Sequence, residues 1–248
     1  TLNPDCVVDT IHELDSSLTS YMKYDNAKPV EVRDLCGELL KKVQIASQNK
    51  DPYLGYHTGW DNLSEILDGL QLGKLVILCA RPSVGKTSFA LQLASNLCKQ
   101  NIPSAIFSLE MTANSLMTRL TSLESTIPIY SIQHGMCISS EKQINQLNLA
   151  LTKIYEMPLK IFDEGVKNEK ELISRIRVLA KTQGTKIFFV DHIGLVRHSN
   201  PSMKRVEQLD DITQKLLHIA QELNVTIICL CQLRRDAEGK KPCLNDLK

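Results

Sequence analysis

Two hydrophobic rhythms succeed one another along the chain. Within residues 1–50 apolar side chains fall at Val7, Ile11, Leu14, Leu18 and Tyr21, alternating fours and threes that line one face of a helix. A second stripe, Val32, Leu35, Leu39 and Val43, follows Pro29, a residue that suits a first helical turn. Little local sequence is present to cover either stripe. They dock on a neighbouring subunit or pack on their own domain, and spacing alone favours neither. Residues 47 to 58, with Asn49, Asp51, Pro52 and Gly55, read as a linker.

From Lys74 onward the rhythm changes to short apolar runs alternating with helical segments. The expected strands are Leu75 to Ala80, Ser104 to Leu109, Leu159 to Phe162, Ile187 to Val190 and Thr226 to Leu230. Between them lie helices such as Thr87 to Cys98, where Phe89, Leu93 and Leu97 recur every fourth residue, and Glu171 to Thr182. This alternation predicts an α/β domain with a mainly parallel sheet flanked by helices. Ligands of such sheets bind at the carboxyl ends of the strands.

The first strand runs into Arg81-Pro82-Ser83-Val84-Gly85-Lys86-Thr87-Ser88 and then a helix. A strand, a loop ending Gly-Lys-Thr and a helix make a phosphate loop. Backbone N–H groups at the helix N-terminus cradle phosphates, Lys86 reaches the β/γ-phosphates, and the Thr87 hydroxyl binds Mg²⁺. Ala80 stands where this motif usually has its first glycine.

Three further polar residues close the other strands. Glu110 follows the second strand, where a carboxylate can orient and deprotonate an attacking water; the alternative is a solvated glutamate at a helix start. Asp191 ends Ile-Phe-Phe-Val-Asp, the Walker B arrangement, and would hold Mg²⁺ through water opposite Thr87. Gln232 leaves the last strand, where its amide can sense the γ-phosphate or simply face solvent. His192 reads as structural.

Composition limits the partners. With 43% hydrophobic residues in 248, one sizeable core can form. Twenty-nine Lys and Arg against 28 Asp and Glu give a net charge of +1, which excludes a wholly basic nucleic-acid wrapper and leaves polynucleotide contact to local loops. The candidates are Arg197, Lys204 and Arg205, then Lys240, Lys241 and Lys248; the alternative for them is an ordinary solvated surface. The eight cysteines form no C-x-x-C pair and read as reduced core thiols of a cytoplasmic protein, with Cys229 and Cys231 on one strand face. No membrane-spanning run or leader is legible. The chain begins at Thr1 and ends at Lys248 within what reads as structured sequence, so a fragment is expected.

Together Thr58-Gly59-Trp60 with Gly69 and Gly73, Ala80 to Thr87, Ser108 to Met111 with Arg119, Asp191, and Cys231-Gln232-Leu233 followed by Pro242 and Asp246-Leu247 resemble the DnaB-type replicative DNA helicases. That family itself carries alanine at the first P-loop glycine. The resemblance covers roughly residues 30 to 248. It implies a RecA-like ATPase domain over residues 51–248 behind a helical region at 1–50. By resemblance, Lys86 and Thr87 bind ATP and Mg²⁺, Glu110 is the catalytic base, Asp191 holds the metal and Gln232 senses the γ-phosphate. The helix around Leu35 to Val43 resembles the linker helix that packs on the next subunit of a hexameric ring. The implied function is ATP-driven 5′–3′ translocation on single-stranded DNA, with a primase and a helicase loader as candidate partners. A recombinase-like filament ATPase and a non-hydrolysing assembly module are the competing readings. Asp191-His192 stands where the family usually has Asp-Tyr, and Cys231 where it has serine. The family's distal DNA loop and arginine finger are expected beyond Lys248.

Overall fold

The computed structural model describes residues 31–48, 53–166 and 168–233. The stripe from Val7 to Tyr21 and the basic residues Lys240, Lys241 and Lys248 lie outside the described residues. The chain divides into two units that part between Pro52 and Tyr53. The first contributes α1 (Val32–Gln48), along which Val32, Leu35, Leu39 and Val43 form an exposed apolar stripe.

In the second unit each apolar run is a strand: β1 (Leu75–Ala80), β2 (Ser104–Ser108), β3 (Leu159–Phe162), β4 (Ile187–Asp191) and β5 (Thr226–Gln232). They form one sheet in the order β1-β5-β4-β2-β3, every neighbouring pair parallel. The helices are α2 (Asp61–Leu67), α3 (Lys86–Cys98), α4 (Ala113–Ser125), α5 (Ile129–Gln133), α6 (Glu141–Tyr155), α7 (Glu169–Gln183) and α8 (Arg205–Leu223).

Successive strand side chains face opposite sides, and both sides are apolar here, so the central strands need cover above and below. Phe107, Phe188, Val190, Ile227 and Cys229 pack with Leu172 and Ile176 of α7 and Ile212 and Leu216 of α8. Ile106, Phe189, Ile228 and Leu230 pack instead with Leu91, Ala94 and Leu97 of α3. Phe188 and Phe189 are both fully buried; each such side chain contributes about 1.5–3 kcal/mol on leaving water.

Element ends follow local chemistry. Helix α7 starts two residues before the expected Glu171 because the Asn168 side chain accepts from Glu171 N–H at 3.0 Å. It stops at Gly184, whose φ of 65° a residue with a Cβ adopts only with strain. Strand β2 stops at Ser108 rather than Leu109, since the Ser108 hydroxyl donates to Met111 O at 2.6 Å and accepts from Met111 N–H at 3.2 Å.

The linker reading of residues 47 to 58 is corrected at both ends. Gln48 is still helical. Tyr56 pairs with Leu70, and Thr58 is fully buried with its N–H donating to Ser64 Oγ at 2.9 Å. Gly55 signals close packing, because a Cβ there would run into the Leu70 backbone.

Candidate active site at the carboxyl edge of the sheet

Parallel pairing brings the ends of β1, β5, β4 and β2 to one edge. From β1 the chain turns through the loop and enters α3 with Gly85 at φ 103°, a conformation open to glycine and strained for other residues. Ser83 also has a positive φ, 62°. The turn aims the start of α3, with its unpaired N–H groups, toward the sheet edge.

A cavity of ≈ 380 Å³ opens there. Arg81, Pro82, Ser83, Gly85, Lys86, Thr87 and Ser88 line it, together with Glu110, Met111, Arg119 and Gln232. Every expected loop residue except Val84 borders it; the Val84 side chain is 70% exposed.

Asp191 lies beneath this cavity, 2% exposed. Its Oδ2 accepts from Thr87 Oγ1 at 2.7 Å, and its Oδ1 is 3.4 Å from Lys86 Nζ. That Oδ1 is buried without a hydrogen-bond partner. A carboxylate oxygen so placed, beside a threonine hydroxyl at a helix start, is the donor set that suits Mg²⁺ bound through water and phosphate.

Glu110 is placed from behind. Leu109 N–H donates to Asp191 O at 2.7 Å and the Ser108 hydroxyl ties down Met111, so the glutamate projects from a turn fixed to the end of β4. Gln232 is the register partner of Ala80, and Leu233 N–H donates to Ala80 O at 3.1 Å. The strand ladder itself therefore sets Gln232 beside the phosphate loop.

His192 is half-buried, and its pKa is lowered by burial first and by Lys86 second, against the opposing pull of Glu110 and Asp191. It is a neutral ring among charges, and a Cβ on Gly194 would press on it.

Arg119 has no separate role legible in the sequence. Helix α4 starts at a Thr112 cap that accepts from Ser115 N–H at 3.3 Å, and its second turn brings Arg119 back over the cavity. None of the ion pairs among the described residues occupies this guanidinium. The signal for it is the nine-residue step from Glu110 within one motif, which spacing alone does not interpret.

The basic candidates after β4 are arranged differently. Arg197, Lys204 and Arg205 are exposed and do not border the cavity. Arg205 Nη2 donates to Gly194 O at 2.7 Å and Val196 O at 3.1 Å, while Nη1 donates to Gln208 at 2.9 Å. Its charge therefore staples the turn after Asp191. The same segment is gripped by Glu169, 1% exposed, which accepts from Ser199 N–H at 2.8 Å and Ser199 Oγ at 2.6 Å. His198 bridges to Asp211 at 2.7 Å.

A strand, a Gly-Lys-Thr loop and a helix facing a strand-terminal aspartate across a parallel sheet define a P-loop nucleotide-binding core. Residues 55–248 match the family model described as DnaB-like helicase C terminal domain, and the chain belongs to that family. It is 34% identical over 218 residues to the replicative DNA helicase DnaB of Treponema pallidum, covering 88% of this chain and 49% of that protein. To the DnaB of Rickettsia typhi it is 36% identical over 225 residues, covering 85% and 45%. The chain thus spans about half the length of these curated relatives. A solved structure of an ATPase domain superposes with a TM-score of 0.82 at 25% identity, covering 89% of this chain and 78% of that one. A structure of a DnaB-like replicative helicase and its interactions with primase shares the fold with a TM-score of 0.77 at 23% identity, covering 98% and 60%. No helix among the described residues is long and apolar enough to cross a membrane.

Proposed function

We propose that this chain is the ATP-hydrolysing motor of a replicative DNA helicase. The observation that carries the reading is the convergence of Lys86, Thr87, Glu110, Arg119 and Gln232 on one cavity above a buried Asp191. In this reading Lys86 and the loop N–H groups bind the phosphates of ATP. Thr87 and Asp191 would hold Mg²⁺, which when bound supplies charge neutralisation between the β- and γ-phosphates. Glu110 orients a water in line with the γ-phosphorus and accepts its proton. Arg119 adds positive charge where the transferring group becomes more anionic, and Gln232 contacts the γ-phosphate. Hydrolysis removes that contact at the end of β5, which passes the change to the chain following Gln232.

In the full-length protein the working state is a homo-hexameric ring around single-stranded DNA, moving 5′–3′ in the cytoplasm. Relatives named replicative helicases support this, and the solved neighbour's primase interaction supports primase as one partner; a helicase loader is proposed from the family resemblance alone. Arg197 and Lys204 are the DNA contacts proposed within the described residues. Lys248 is carried with them from its sequence position. The test is ATP turnover by the full-length protein with and without single-stranded DNA, alongside displacement of a labelled strand from a forked duplex. DNA-stimulated turnover with displacement is expected; turnover with no displacement overturns the helicase assignment.

A further inference from the structure

One motif residue remains outside this chemistry. Cys231 stands where the resembling family has serine, directly before Gln232. Its register partner across the β1–β5 ladder is Cys79, directly before Ala80. The two side chains share a face of the sheet, and the Cys231 thiol donates to Gln232 O at 3.8 Å. Both are half-buried free thiols, and Ile77, two residues before Cys79 on that face, is 42% exposed, so a small reagent can approach. Cys98, Cys137 and Cys229 are buried, and Cys229 pairs with Ile77 rather than with a cysteine. Among the described residues, Cys79 and Cys231 are the facing pair.

We propose that Cys79 and Cys231 form a thiol–disulfide switch that reports oxidation to the nucleotide site. Adjacent strands hold register partners about 4.8 Å apart, inside the range of Cα separations a disulfide accepts but below its usual 5.5–6 Å. Closing the bond therefore shifts the strand ends by roughly an ångström. The residues next in line are Ala80 and Gln232, themselves register partners joined through Leu233 N–H to Ala80 O. Oxidation thus moves the entrance of the phosphate loop against the γ-phosphate-contacting amide. The loop and Gln232 also border one cavity, which the disulfide would deform.

The oxidant class is a low-molecular-weight disulfide such as oxidised glutathione. One cysteine sulfur attacks it and releases one glutathione thiol; the second cysteine displaces the other. Two protein thiols lose two electrons and two protons, and one reagent disulfide becomes two thiols. Burial pushes the Cys79 thiol up to about 12, so Cys231 is assigned the first attack and Cys79 resolves the mixed disulfide.

The switch rests on the ATPase reading, so turnover of the reduced full-length protein is measured first; its absence fails that reading and leaves the thiol pair to be judged by peptide mapping. With oxidised glutathione, mass spectrometry should find a Cys79–Cys231 disulfide, and turnover should fall about ten- to a hundredfold, the cost of ångström-scale misplacement. Dithiothreitol should restore it. Cys231→Ser and Cys79→Ala should each keep basal turnover and lose the sensitivity. A mixed glutathione adduct without the internal disulfide, an internal disulfide with undiminished turnover, or inhibition persisting in both variants overturns the switch.

Discussion

Thr87 donates its hydroxyl hydrogen to Asp191 across 2.7 Å although the two are 104 positions apart in the chain. With Lys86 3.4 Å from the other carboxylate oxygen, the helix start and the end of β4 are tied together at the phosphate site. The tie leaves Lys86 with a buried anion beside it, so its charge is positioned before any phosphate arrives.

Lys86→Ala removes a charge-assisted phosphate contact while leaving the Thr87–Asp191 bond to hold the loop against the sheet. ATP affinity should fall about ten- to a hundredfold, corresponding to roughly 1.5–3 kcal/mol, with the fold retained. Calorimetric titration in Mg²⁺ checks this, with circular dichroism for the fold. Equal affinity in variant and parent would remove Lys86 from the site.

Glu110 and Arg119 border the same cavity but should fail in different ways. Glu110→Gln keeps size and hydrogen bonding and removes the proton acceptor. Turnover should drop by about 10² or more with nucleotide affinity within a few-fold. Arg119→Ala removes a cation whose contribution grows as charge develops on the γ-phosphate, so kcat should fall further than KM rises. Steady-state kinetics on both variants separates the roles. A KM effect alone at Arg119 would make it a ground-state binding residue.

The basic residues after Asp191 divide on the same grounds. Lys204 is exposed, and the hydrogen bonds it makes are from its backbone and to the start of α8, whereas Arg205 is committed to Gly194, Val196 and Gln208. Lys204→Gln in the full-length protein should weaken single-stranded DNA binding and lower the salt slope by up to about 0.7 without altering the melting temperature. Arg205→Ala should lower stability by about 1–3 kcal/mol, because two carbonyls lose a charged donor. An unchanged slope for Lys204→Gln would return this loop to plain solvated surface.

The strands were legible because their runs are apolar on both faces: Ile187 to Val190 admits no amphipathic reading, and the burial of all four bears this out. The carboxyl ends of β1 and β3 fall where expected, whereas β2 stops one residue short at Ser108, and β4 and β5 run on to Asp191 and Gln232, which the ladder pairs with Ser108 and Ala80. Helix α6 was harder, since its apolar residues include exposed Leu149, Leu151 and Tyr155 alongside buried Ala150 and Ile154, which blurs the period. The role of Arg119, and Glu169 altogether, escaped for a different reason. Each acts across the fold, Arg119 on a cavity made by other elements and Glu169 on Ser199, 30 positions away, and no local spacing encodes such a meeting. Gly55 misled as a linker signal because glycine serves tight packing as readily as flexibility.

Glu169 gives a stability prediction with a defined pH sign. Burial raises its pKa, but the Ser199 hydroxyl, its own backbone N–H, Lys215 and His198 together outweigh burial and leave it below its ordinary value of 4.5. A carboxylate with a depressed folded pKa stabilises the folded state fully above its unfolded pKa, and that contribution disappears as pH falls through the folded value. Glu169→Gln removes the charge while keeping the shape, replacing one of two acceptor oxygens with a donor that faces Ser199. The variant should be less stable than the parent by about 1–3 kcal/mol at pH 7, the scale of hydrogen bonds to a charged group. As pH falls from the unfolded value of 4.5 through the lower folded value, the parent's own glutamate becomes protonated and the gap should close. Urea midpoints of both proteins at about pH 7, 5 and 3.5 test this. A gap of constant size across that range would mean that Glu169 stabilises the Ser199 segment by its shape and not by its charge.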